Sequence, residues 1–500
     1  MQTLPELIRW RARRHPDLPA MSEPGRTLTW RELDAGTTAL ANGLRTLGVQ
    51  PGDRVAILDK NSVAYLELML AVAKLGAVSA PVNWRLAPPE VRVVVDESQA
   101  PLCVAGDEFA GHVEGVAARV LRFDEVPRAP GPDPYGDTDS GAVVWQLYTS
   151  GTTGIPKGAM LTHDNLYAGW PSILLECPEM REGSRALVAM PMYHIGGCGW
   201  AGAALYAGST LVVVREIVPQ HLLQTIVDER VECGFLVPAV LLFLSQLPGV
   251  ESADFSNLRR ILYGASPITP ELLTRCIDLF KCEFTQVYGL TETTGAISAL
   301  QHRDHHGELL LSCGRPMLGT RVRVVDLDGN DLPAGEVGEL LIAGKQLMRG
   351  YHNRPDDTAA VIRDGWFHSG DAATLDADGY IFIRDRIKDM IVSGGENVYP
   401  IEVESVIAEH PAVADVAVIG VPDHRWGETV KAVVLLREGA TLEEAELIAF
   451  CRPRLAGFKC PTSLDVVASI PRNPTGKILK RELREPYWRG QERRVAGSGV

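Results

Sequence analysis

An α/β fold is predicted by the alternation of short apolar runs with helical patterns, by the turn chemistry after residue 320, and by a distinct mixed segment at the end. The run Val55–Asp59 reads as a strand, Tyr65–Leu75 as an apolar helix and Val78–Pro81 as a further strand. Leu211–Val214, Arg260–Tyr263 and Phe284–Val287 each lie close to a helical segment, so the sheets are expected to be largely parallel. From Arg321 the pattern changes. Val322–Val325, Gly338–Ile342 and Tyr380–Ile383 alternate, and Asp328-Gly329 and Asp378-Gly379 supply turns, which reads as antiparallel hairpins. Arg384–Asp389 carries five charges in six residues, as a solvated loop or an interdomain hinge would. Beyond it, helix Ile401–Glu409, strands Val416–Val421 and Thr429–Leu436 and helix Leu442–Cys451 make a small α+β unit.

Composition narrows the function classes. A chain of 500 residues with 46% apolar and 22% charged residues can bury a large core in two or three domains. A net charge of -14 argues against a nucleic-acid partner, although oriented backbone N–H groups can hold phosphate on an acidic protein. Nine cysteines without C-x-x-C spacing fit a reducing, cytoplasmic setting better than disulfides or a zinc site. Residues 1–20 include four arginines and no apolar stretch of the signal-peptide kind. Ile195–Val214 holds five glycines and Cys233–Val250 holds Pro238 and Pro248, so both read as buried helix–turn–strand pieces and not as transmembrane spans.

The most informative stretch is Tyr148-Thr-Ser-Gly-Thr-Thr-Gly-Ile-Pro-Lys-Gly158, which follows the apolar strand Ala142–Leu147. Gly151 and Gly154 let a backbone approach a ligand, and Thr149, Ser150, Thr152 and Thr153 add hydroxyl donors. Lys157 adds a cation, so the loop is suited to wrapping a polyphosphate. It is not a Walker A loop, because Pro156 precedes the lysine and Gly158 follows it. Lys157 is therefore expected to stay in a mobile turn.

Six further segments accompany the loop: Met192-Tyr-His-Ile-Gly-Gly197, Tyr263-Gly-Ala-Ser-Pro267, Val287-Tyr-Gly-Leu-Thr-Glu292, Gly365-Trp-Phe-His-Ser-Gly-Asp371, Asp385–Pro400 and Asn473-Pro-Thr-Gly-Lys477. In this order they resemble the motifs of the adenylate-forming superfamily, which includes acyl-CoA synthetases, peptide-synthetase adenylation domains and luciferases. The resemblance runs from about Leu28 to Leu483, and Gly394–Pro400 and Pro471–Lys480 are most similar to bacterial fatty-acid:CoA ligases. It implies a large N-terminal domain, residues 1–385, of two α/β sheets plus a small β-barrel-like subdomain. It also implies a small mobile α+β domain, residues 386–500. The implied reaction joins a carboxylic acid, probed first as a fatty acid, to CoA through an acyl-adenylate, with ATP, CoA and Mg²⁺ required.

The resemblance also implies roles for single residues. Thr149, Ser150, Gly151, Thr152, Thr153, Gly154, Lys157 and Thr291 would contact phosphate, and Glu292 would ligate Mg²⁺, a hard ion that one protein carboxylate can hold beside phosphate and water. Gly264, Ala265 and Ser266 could lie on one face of adenine and Tyr288, beside Gly289, on the other. Asp371 and Arg386 would meet the ribose. Lys477 would bring its ammonium between the acid and the α-phosphate, Lys388 would be the pivot that removes it, and Gly395 would line the pantetheine tunnel. His194, with Gly196, Gly197, Gly199 and Gly295, would border an open acyl pocket.

An aryl acid in place of a fatty acid, and a carrier-protein thiol in place of CoA, stay open as alternatives. A non-catalytic nucleotide-binding protein and luciferase-like oxidation are the more distant ones. Peripheral membrane contact and oligomeric state, a homodimer included, are open.

Overall fold

The computed structural model describes residues 2–136, 139–149, 156–394, 396–472 and 478–489, apart from the side chains of Lys388 and Asn397. The chain divides into two compact units: residues 1–321 with 343–367, and residues 322–342 with 368–500. The expected boundary at 385/386 falls inside the second unit, within strand Ile381–Arg386.

Two large sheets build the first unit, as the strand–helix alternation predicts. A nine-stranded sheet places Arg260–Gly264 between Cys233–Leu236 and Glu283–Leu290, all parallel, and then Gly295–Leu300 antiparallel at its side. A seven-stranded sheet is ordered Gly350–Tyr351, Lys157–Thr162, Val143–Thr149, Val78–Pro81, Arg54–Leu58, Leu102–Ala105, Arg119–Arg122. Its inner strands are apolar on both faces, which is why they read as continuous hydrophobic runs. One face is filled by Ala56, Leu58 and Cys103 against Val91, Val94 and Val95 of helix Pro88–Ser98.

Helix starts are fixed locally. Thr29, Ser62, Thr162 and Thr269 each accept a backbone N–H of the first turn, and Thr29 forms a capping box with Glu32. All nine cysteines are free and buried. No helix among the described residues is long and apolar enough to cross a membrane.

In the second unit, residues 371–375 of strand Trp366–Leu375 pair antiparallel with Ile381–Arg386 across the expected Asp378-Gly379 turn. Gly379 takes φ +82° there, and Asp376 Oδ1 accepts the N–H groups of Asp378 and Tyr380. The terminal α+β segment shows a period of two. Val416 and Val418 face helices Pro400–Ala408 and Glu444–Cys451. Ala417, Ile419 and Val421 face Leu483 and Tyr487 of helix Lys480–Trp488.

Candidate active site

In the first unit the phosphate-loop strands set the geometry. Val143–Thr149 and Lys157–Thr162 pair antiparallel down to the Thr149–Lys157 rung. Lys157 is therefore the first residue of a strand and not part of a mobile turn, which corrects the expectation drawn from its Pro-Lys-Gly setting. The ladder extends over Lys157 because the next strand, Gly350–Tyr351, pairs with Ala159 and Met160 on its far edge. Lys157 Nζ lies 2.6 Å from Asp357 Oδ1 and 5.4 Å from the centre of the Tyr351 ring. Ser150, Gly151, Thr152, Thr153 and Gly154 lie outside the described residues.

Glu292 proves to be buried at 8% exposure, where an ordinary helix-start glutamate would be solvated. It sits in the 3₁₀ turn Thr291–Thr293 that ends strand Glu283–Leu290. Tyr351 donates its hydroxyl to Glu292 Oε1 at 2.7 Å, and the Met348 N–H bonds to the Glu292 carbonyl. A buried carboxylate needs such donors or a cation. A hard oxygen donor of this kind fits Mg²⁺, and no cluster of three or more acidic, histidine or cysteine ligands occurs among the described residues.

Tight backbone approaches shape the chain at the residues expected to meet adenine. Gly264 ends its strand so close to the next that a Cβ there would stand 2.1 Å from the Val287 carbonyl oxygen. Ala265 follows with φ +68°, a left-handed conformation that costs a residue with a Cβ and re-aims the chain toward Ser266. Gly289, one residue after Tyr288, approaches Gly295 just as tightly: its Cβ would meet the Gly295 carbonyl oxygen at 1.9 Å.

His194 is the N-cap of helix Ile195–Ala207 and its imidazole does not cap the helix. Its Nε2 is buried with no hydrogen-bond partner among the described residues, an orphaned polar atom that suits contact with an incoming polar group. Burial, and then the charge of Arg85, lower its pKa to about 4, so the ring is neutral near pH 7. Arg85 itself donates to the Tyr193 hydroxyl at 2.9 Å. Ile195 reaches toward Gly295, whose Cβ would be 3.5 Å from Ile195 Cγ1.

The glycines of this helix do not all open space. A Cβ on Gly197 would lie 2.1 Å from the Pro191 carbonyl oxygen, so this glycine serves a backbone contact and not pocket volume, contrary to expectation. Gly196 and Gly199 are also close-packed: a Cβ on Gly196 would stand 3.0 Å from Phe235 Cε1, and one on Gly199 3.0 Å from Ile195 Cδ1, both tighter than ordinary contact. Tyr351, Asp357 and Phe235 escaped the sequence reading. Only the Pro355 start with two aspartates behind it hints at an acidic helix turn, and nothing local says which lysine it meets.

In the second unit, Asp371 and Arg386 are cross-strand partners, with Arg386 Nε 2.5 Å from Asp371 Oδ1. Asp371 is 3% exposed. Residues 387–389 form a 3₁₀ turn, while the side chain of Lys388, and all of Gly395 and Lys477, lie outside what is described. Just past them, Lys480 Nζ sits 2.9 Å from Glu404 and 3.3 Å from Asp385. Burial opposes its charge, but the two carboxylates outweigh that and raise its pKa.

The family model of the AMP-binding enzyme matches residues 8–352, and that of the AMP-binding enzyme C-terminal domain matches residues 402–477. The chain belongs to the AMP-binding enzyme family. Its relatives include the fatty acid–[acyl-carrier-protein] ligase ScoC of Streptomyces coeruleorubidus, 41% identical across 99% of this chain and 98% of that one. Another is a feruloyl-CoA synthase of an Amycolatopsis species, 42% identical across 95% and 97%. Among solved structures, ATP-bound MatB from Rhodopseudomonas palustris superposes with a TM-score of 0.90 at 29% identity, covering 97% of this chain and 99% of that one. This AMP-binding enzyme is an adenylating acid–thiol ligase, of a family that uses ATP and CoA with Mg²⁺ as its usual ion.

Proposed function

We propose that this enzyme joins a fatty acid to free CoA, releasing AMP and diphosphate, through an acyl-adenylate. The observation that carries the nucleotide half is the Lys157–Tyr351–Glu292 arrangement, a cation near the ring and a buried carboxylate on the hydroxyl of one tyrosine. Mg²⁺ held by Glu292 would neutralise phosphate charge. Lys157 and the loop 149–154 grip the polyphosphate, and Gly264–Ser266 with Tyr288 and Gly289 enclose the base. Asp371, aligned by Arg386, takes the ribose hydroxyls. Thr291 adds a phosphate contact.

In the first half-reaction the acid's carboxylate oxygen attacks the α-phosphorus and diphosphate leaves, with Lys477 stabilising the charge that gathers between them. In the second, the CoA sulfur attacks the acyl carbonyl and AMP leaves with its electron pair. Both attacks use the same carbon–oxygen neighbourhood, so Lys477 must withdraw. Rotation of residues 386–500 about Lys388 does this and brings Gly395 to the pantetheine path. Neutral His194, with a free Nε2, directs the acid's carboxylate, and Gly196, Gly199 and Gly295 border the path of its chain.

Feruloyl-CoA synthase among the relatives favours an aryl acid as the second reading, and the carrier-protein ligase favours a phosphopantetheine thiol as acceptor. A panel of fatty and aryl acids with ATP and Mg²⁺, offered CoA or a holo-carrier and followed by AMP release, separates these. Release highest with a fatty acid and CoA is expected. Dominance of an aryl acid, or of the carrier, would replace the fatty-acid:CoA reading.

A further inference from the structure

Lys157 does not stand alone at the mouth of the phosphate loop. Its ammonium is committed to Asp357 at 2.6 Å, with only 12% of the lysine side chain exposed. Asp357 belongs to helix Pro355–Val361, whose Thr358 hydroxyl accepts the Tyr351 N–H at 2.9 Å, so the carboxylate is fixed relative to the Tyr351 ring beneath the lysine. A carboxylate in this place is a liability for a polyphosphate site. It neutralises the cation that should meet phosphate, and it adds a negative charge where negative charge must enter.

A second cation waits beside it. Arg354 Nη1 is 3.8 Å from Asp357 Oδ2, too far for a hydrogen bond, and Arg354 Nε lies equally far from Glu97. That Nε is buried without a hydrogen-bond partner among the described residues, an unusual state for a guanidinium N–H. Arg354 is thus held between two carboxylates and bonded through Nε to neither. A small side-chain rotation would let it close on Asp357.

We propose that Asp357 is an exchangeable counter-ion for Lys157: an arriving polyphosphate takes the lysine, and Asp357 transfers to Arg354. Asp357 is then a positioning residue that weakens nucleotide binding and eases release of diphosphate. The inference rests on the reading that Lys157 meets the triphosphate. No covalent step is involved, only the exchange of one ion pair for two.

The test is calorimetric ATP binding with Mg²⁺, paired with steady-state acid-dependent diphosphate release. Asp357→Asn is expected to bind ATP about 5-fold tighter at low salt, with the gain shrinking as salt rises, and with kcat falling while the ATP KM falls. Asp357→Glu should keep wild-type affinity within about twofold, which guards against a fold effect. In a Lys157→Met background the gain from Asp357→Asn should drop below about twofold, because the competition runs through the lysine. Unchanged or weaker ATP binding by Asp357→Asn, or a full gain without Lys157, would overturn the exchange. If the wild-type enzyme itself bound no ATP, the nucleotide reading would fail instead, and the two failures are told apart by that single control.

Discussion

At the scale of single residues, the site is a set of polar groups whose burial has to be compensated. Glu292 is the clearest case, since its carboxylate is nearly sealed and Tyr351 donates to it. Removing that donor leaves a buried acceptor short of a partner, a loss of about 1–3 kcal/mol. Tyr351→Phe is expected to slow adenylation roughly 10-fold, read as acid-dependent exchange of labelled diphosphate into ATP, and to lower the melting temperature by a few degrees. Asp371 is compensated by Arg386 and, under the proposed function, aims both carboxylate oxygens at a diol. Asp371→Asn keeps the shape and loses the charge-assisted bonds. It is expected to raise the ATP KM roughly 10- to 100-fold, with the acid KM less affected.

At the scale of elements, two helix starts decide much of the first unit. Helix Ile195–Ala207 can begin where it does only because Gly197 lets the Pro191 carbonyl approach. Gly197→Ala is expected to cost about 1–3 kcal/mol, seen as a lower midpoint in urea, and to displace His194 with the first turn. Helix His163–Glu176 begins at a histidine whose Nδ1 accepts the Leu4 N–H at 3.3 Å, tying the N-terminal helix Leu4–Arg14 to it. Burial lowers the pKa of His163 from 6.5 to about 4. The unfolded chain therefore binds a proton between those values that the folded one refuses. Its contribution to stability is complete above pH 6.5, is lost as pH falls toward 4, and amounts to on the order of 3 kcal/mol. His163→Gln is expected to flatten the pH dependence of stability in that window, measured by denaturant unfolding at several pH values.

At the scale of the whole molecule, the proposal is that one chemistry is done in two halves by different residues. Lys477→Ala is expected to abolish diphosphate exchange while leaving thioester formation from supplied acyl-adenylate within about threefold of wild type. Equal loss of both would remove the reason for a moving domain. Gly395→Leu is expected to do the reverse, sparing diphosphate release and stopping thioester formation. The half-buried Lys480, set between Asp385 and Glu404, shows how firmly helix Lys480–Trp488 is seated in the terminal unit.

The sequence by itself determined the class of fold, the family and the order of the motifs. Strand–helix alternation, the Asp378-Gly379 turn and the Gly/Thr loop after a core strand are local signals, and local sterics and hydrogen bonding dictate them. Tertiary structure alone decided what each polar group faces. That Lys157 opens a strand and pairs with Asp357, that Tyr351 secures Glu292, and that Gly197 is a packing glycine all depend on segments far apart in the chain. Electrostatics and steric contact act through space, and no spacing along the sequence records which distant carboxylate, ring or carbonyl the fold will set beside a given residue.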